Sequence, residues 1–88
     1  MVARMEWIYE EKRIYLLDEN GNLVCEANLS YQDENTMIIQ RIYVEPEYRN
    51  KGFADLTMQT VMAYVEKNTL KVVPVCPYAI AWLDKRVK

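Results

Sequence analysis

The chain has no histidine, only two cysteines, two glycines and three prolines, and a single phenylalanine in 88 residues. Without an imidazole, a Ser–His or Cys–His nucleophile pair cannot be built within one chain. Two cysteines and no histidine also leave a structural zinc site without a sensible ligand set, so no metal is expected. In a chain read as unsecreted, two cysteines are expected to be free thiols rather than a disulfide. The scarcity of glycine and proline leaves little room for long flexible linkers. No apolar run approaches the roughly 20 residues that span a bilayer. The opening M-V-A-R-M-E-W-I-Y-E lacks the apolar region of a signal peptide. Positive charge is in short supply too: 11 Lys and Arg against 13 Asp and Glu give a net charge of −2. A general nucleic-acid binder is usually basic. Neither nucleic acid nor membrane is therefore an expected partner, and a cytoplasmic location is expected.

What is present suits one soluble domain over residues 1–88, with 51% hydrophobic and 27% charged residues around a single modest core. Met5 to Glu10 and Arg13 to Asp18 read as a hairpin. Asn20-Gly21 marks a second turn, because both residues tolerate positive φ. Leu23 to Tyr31 alternates, with Leu23, Cys25, Ala27, Leu29 and Tyr31 on the apolar face, which makes Cys25 a buried small hydrophobe. A polar turn leads to Thr36 to Val44. Strict alternation there puts Met37, Ile39, Arg41 and Tyr43 on one face and Ile38, Gln40, Ile42 and Val44 on the other, and neither face is wholly apolar. A strand covered on both sides, or a bulge near Arg41, would account for that. Ala54 to Lys67 has helical spacing, with Ala54, Met58, Val61, Met62 and Val65 on one stripe. Leu70 to Val75 is a strand interrupted by Pro74, which marks an edge, a bulge or a place where strands part. Tyr78 to Arg86 reads as a last helix with Pro77 in its first turn, and Trp82 is expected to pack that helix on the sheet. The fold class is α+β.

The chemistry concentrates in V-E-P-E-Y-R-N-K-G-F, Val44 to Phe53. A strand runs into a short loop that opens a helix, whose first N–H groups have no intrahelical partner. Anions settle at such an end. Gly52 can take positive φ and lets a phosphate come close, and Arg49 and Lys51 add two cations. The segment reads as a phosphate or diphosphate cradle.

Arg49-x-x-Gly52-x-Ala54 resembles the acyl-CoA diphosphate loop of the GNAT superfamily of N-acetyltransferases, Q/R-x-x-G-x-G/A. Lys71, Val73, Pro74, Cys76 and Tyr78 match, position by position, the K-V-x-P-x-C-x-Y/F strand of the very small, single-domain branch of that superfamily. The two matches run in the right order and cover about Ile38 to Leu83. The resemblance implies a minimal GNAT fold: an antiparallel four-strand meander, a helix, a splayed strand and a terminal helix. It further implies acetyl-CoA as donor and an amine as acceptor. Ile42, Tyr43 and Val44 would hold the pantetheine arm, and Arg49, Asn50, Lys51, Gly52, Phe53 and Ala54 the diphosphate. Cys76 and Tyr78 are the catalytic candidates, the first as an acyl-accepting thiol or a neighbouring one, the second as proton donor to the leaving thiolate. Glu45 and Glu47 flank the loop as solvated charges that could orient an amine. Departures from the branch are Arg41 where a histidine is usual, Pro46 one place late, Asn50 for a glycine, and no His-Pro tail. A guanidinium cannot serve as a base. A monomer or small homo-oligomer is expected.

Overall fold

The structure, a computed structural model, describes residues 4–86. Four strands follow one another: β1 (Glu6–Glu10), β2 (Arg13–Leu17), β3 (Leu23–Asp33) and β4 (Thr36–Val44). A 3-10 turn (Pro46–Tyr48), α1 (Phe53–Lys67), β5 (Lys71–Pro74) and α2 (Pro77–Arg86) complete the order. The sheet runs β1-β2-β3-β4-β5, antiparallel as far as β4, with β5 parallel to β4 after the α1 crossover. This is the α+β arrangement expected from the sequence.

Both helices lie on the same side of the sheet. Met58, Val61 and Val65 of α1 and Ala79 of α2 share one cluster with Ile14, Ala27, Leu29, Met37 and Ile39. Each fully buried Val, Ile, Leu or Met in it contributes about 1.5–3 kcal/mol. A smaller cluster of Leu16, Val24 and Cys25 lies under the cradle segment, packed by Trp7, Val44, Tyr48 and Phe53. Cys25 is completely buried, as its place in the alternation implied, and burial pushes its thiol pKa up. Thr57 is also buried; its hydroxyl donates to the Phe53 carbonyl at 2.7 Å, so a polar residue sits on the core face of α1 without loss.

Register shifts at Val24, Gln40 and Gln32 interrupt the strict alternation, and the first two change which residues are buried. Leu16 pairs with Cys25 and Leu17 with Leu23, so Val24 is an extra residue and is buried along with Cys25. In β4, Asn28 faces Arg41 and Leu29 faces Ile39, which leaves Gln40 as the extra residue. The phase of the strand changes there. Met37 and Ile39 are followed on the core side by Ile42 and Val44, while Arg41 and Tyr43 turn to the opposite face. The expected grouping of Arg41 and Tyr43 with Met37 and Ile39 therefore fails at Gln40.

The turn after β2 also differs from a two-residue hairpin. The Asp18 N–H donates to the Asn22 carbonyl (2.8 Å), and of the turn residues only Gly21 has positive φ, at 83°. Asp18 Oδ1 accepts the N–H groups of Asn20 and Asn22, both at 2.9 Å, which makes this a three-residue turn.

Candidate functional site

β4 leaves the sheet as the sequence suggested, through a tight loop into α1. The Glu45 N–H donates to the Val24 carbonyl (2.9 Å), and the Tyr48 N–H to the Glu45 carbonyl (2.9 Å). Asn50 and Gly52 then take left-handed backbone, φ 65° and 87°. An added Cβ at Gly52 would meet nothing within 4 Å, so the space above it is open. The first intrahelical bond of α1 runs from the Leu56 N–H to the Gly52 carbonyl, at 3.1 Å. The N–H groups of Phe53, Ala54 and Asp55 are thus the free donors of the helix end.

Beside this end the sheet opens. β5 pairs only with Thr36 to Ile39. The Ile39 carbonyl accepts the N–H groups of both Val75 (3.0 Å) and Cys76 (3.2 Å), and this closes the last rung. Beyond it, Gln40 to Val44 have β3 on one edge and, among the described residues, no strand on the other. The Glu45 N–H points at β3, and N–H groups alternate along a strand, so those of Val44 and Ile42 point into the gap. The Val44 carbonyl faces the same way and accepts the Arg49 Nε–H at 2.9 Å. Unbroken alternation through Gln40 would turn the amides of Arg41 and Tyr43 into the gap; the bulge there presents those of Ile42 and Val44 instead.

Gap and helix end form one cleft of about 500 Å³. Its walls include Ile42, Tyr43, Val44, Arg49, Asn50 and Gly52. Phe53 and Ala54 complete the expected ligand-holding set in the wall, and Lys51, though exposed, lies outside it. Tyr78 forms the far wall from the first turn of α2. Burial first, then the charge of Asp55, hold the Tyr78 phenol above its ordinary pKa of 10.0. Cys76 is not part of the wall. It packs in the larger core cluster at 9% exposure, and its carbonyl accepts the Ile80 N–H at the start of α2 (3.0 Å).

Sequence reasoning did not single out two wall residues. Tyr48 lies edge-on to Phe53, centroids 5.5 Å apart, and its hydroxyl donates to Asp18 Oδ2 at 3.2 Å. The lone aromatic in a charged loop was the available signal. Asp55 was read only as a helix-dipole residue. Its Oδ1 accepts the Trp82 indole N–H at 2.6 Å, its Oδ2 accepts from Gln59, and these bonds hold its carboxyl below the ordinary range. Trp82 therefore ties α2 to the first turn of α1 as well as packing against the core.

A strand edge with outward N–H groups, continuous with the N-terminus of a helix, defines a class of site. It suits a long ligand with a peptide-like arm and an anionic end. The sequence matches the family model described as GCN5-related N-acetyl-transferase over residues 13–88, and the chain belongs to that family. A search of curated proteins returns no match. Among solved structures, a GCN5-like protein from Staphylococcus aureus, solved by NMR, is 25% identical with a TM-score of 0.72, over 92% of this chain and 79% of that one. N-acetylglutamate synthase from Neisseria gonorrhoeae, complexed with coenzyme A and N-acetyl-glutamate, is 16% identical with a TM-score of 0.65, over 85% of this chain and 18% of its own. The ribosomal-protein-alanine N-acetyltransferase of Brucella melitensis is 15% identical with a TM-score of 0.62, over 86% and 81%. The last two likenesses concern the fold alone. Among the described residues no helix is long and apolar enough to cross a membrane.

Proposed function

We propose that this protein moves an acetyl group from acetyl-CoA to an amine. The observation that carries the reading is the single cleft in which the outward amides of Ile42 and Val44 and the free amides of Phe53 and Ala54 all open to one ligand. The donor set fits: the helix end and the left-handed Asn50 and Gly52 suit a diphosphate, Arg49 and Lys51 add charge, and the β4 edge suits a peptide-like arm. Bound acetyl-CoA supplies an activated thioester. Tyr78, in the far wall with its phenol pKa raised by burial and then by the Asp55 charge, is the proton donor at the leaving sulfur. Cys76, packed in the core, leaves the amine to attack the thioester directly.

The N-acetylglutamate synthase and the ribosomal-protein-alanine N-acetyltransferase differ in their acceptors, so the fold does not select the amine. A second reading, a CoA-binding module without turnover, draws on one observation. Among the described residues the only carboxylate in the cleft wall, Asp55, is held by Trp82 and Gln59, and the chain has no histidine.

Calorimetric titration with CoA tests the site. Gly52→Glu forces a side chain into positive φ and sets a carboxylate against the diphosphate, and affinity should fall roughly a hundredfold or more, the size expected for a lost charged contact plus repulsion. Unchanged affinity would remove the loop from the site. Release of CoA from acetyl-CoA across a panel of amines separates transfer from binding alone. Mass spectrometry after incubation with acetyl-CoA should find no acetyl group on Cys76, and an adduct there would restore a covalent route.

A further inference from the structure

The Arg49 side chain lies across the open edge of the sheet. Its Nε–H reaches the Val44 carbonyl at 2.9 Å, and its guanidinium carbon sits 5.6 Å from the centre of the Tyr43 ring. That carbonyl belongs to the edge on which an incoming amide would pair, and an added strand places its N–H at the same distance from such an oxygen. The guanidinium thus stands where part of the peptide-like arm would go. Arg49 is exposed and belongs to the cradle loop, three residues before Gly52.

From this we infer, resting on the transferase reading, that Arg49 selects donors that carry a diphosphate. A diphosphate at the α1 end offers the guanidinium a charged, bidentate partner, which a neutral carbonyl cannot match. Arg49 leaves Val44 for that partner, and the strand edge becomes available to the arm. A pantetheine thioester without a diphosphate gives Arg49 nowhere to go, so it must compete for the edge against a bond already made. The same residue assists one class of donor and obstructs the other.

The consequence is a pair of effects with opposite signs. Arg49→Met keeps an unbranched stem against Tyr43 and removes every donor. Binding of CoA and of pantetheine to wild type and to Arg49→Met is followed by NMR titration up to tens of millimolar, after circular dichroism shows that the variant folds. CoA should bind Arg49→Met about ten- to a hundredfold more weakly, the range for losing a hydrogen bond to a charged group. Pantetheine should bind it about three- to tenfold more tightly, the range for removing one competing bond at an exposed site. Both shifts together support the inference. Pantetheine affinity unchanged, weakened or undetected in Arg49→Met, with CoA still binding wild type, overturns it while leaving the transferase reading in place. Failure of wild type to bind CoA overturns both.

Discussion

From Thr36 to Ile39, β4 has a strand on each edge and is largely buried, whereas from Gln40 to Val44 it has one neighbour and is half-open. Strand propensity does not separate the two halves; both are rich in β-branched and aromatic residues. They differ in one extra residue, Gln40, and in the point at which β5 turns away after Pro74. The first half anchors the helices, with Met37 and Ile39 fully buried. The second half spends its outer hydrogen-bonding edge on the cleft instead of on a neighbour. In this fold an open edge is made by ending a ladder early, and the bulge decides which amides that edge presents.

Ile39→Asp should have the largest effect. It places a carboxylate among fully buried side chains of the two-edged half. An uncompensated buried charge costs about 3–5 kcal/mol. A domain of this size has little more than that in total, so circular dichroism should show loss of cooperative folding. A stable Ile39→Asp variant would break the comparison. Alanine substitution on each side of the bulge then sharpens it. Ile39→Ala should cost about 2–5 kcal/mol by urea unfolding. Ile42→Ala, at a half-buried position, should cost clearly less. Equal losses would mean that both halves bear the core alike.

The smallest effect concerns the α2 wall of the cleft. Trp82→Phe removes the donor that contributes most to lowering the Asp55 pKa from its ordinary 3.8. A carboxyl depressed in the folded state adds stability above its unfolded pKa and loses it as pH falls through the folded one. In Trp82→Phe the carboxyl should titrate closer to 3.8, observed by NMR, and the drop in stability between pH 5 and pH 2 should shrink. An unmoved Asp55 titration would show that Gln59 alone sets it.

The cradle was legible in the sequence because its signals are local. A glycine before a helical stripe, two cations beside it and a strand run ahead of it occupy ten consecutive residues. The end of β5 was legible because a proline inside an apolar run marks an edge or a parting of strands; the N–H that Pro74 lacks falls on the outer edge of β5, since those of Lys71 and Val75 face β4. The phase of β4 was legible in part. The mixed faces of Thr36 to Val44 pointed to cover on both sides or to a bulge near Arg41, and the pairing with β3 places the extra residue at Gln40. Val24 escaped, reading as the outer neighbour of Cys25 although both are buried. The bonds from Trp82 to Asp55 and from Tyr48 to Asp18 span 27 and 30 residues, and no local pattern connects such positions.

The groups that Ile42 and Val44 turn toward the cleft belong to the main chain, and every amino acid except proline carries them. Exchanging either side chain alters what lies beneath the sheet and leaves the outward amides where they were. Over generations these two positions can change their identity under the sole discipline of core packing, while the surface offered to a visitor stays the same.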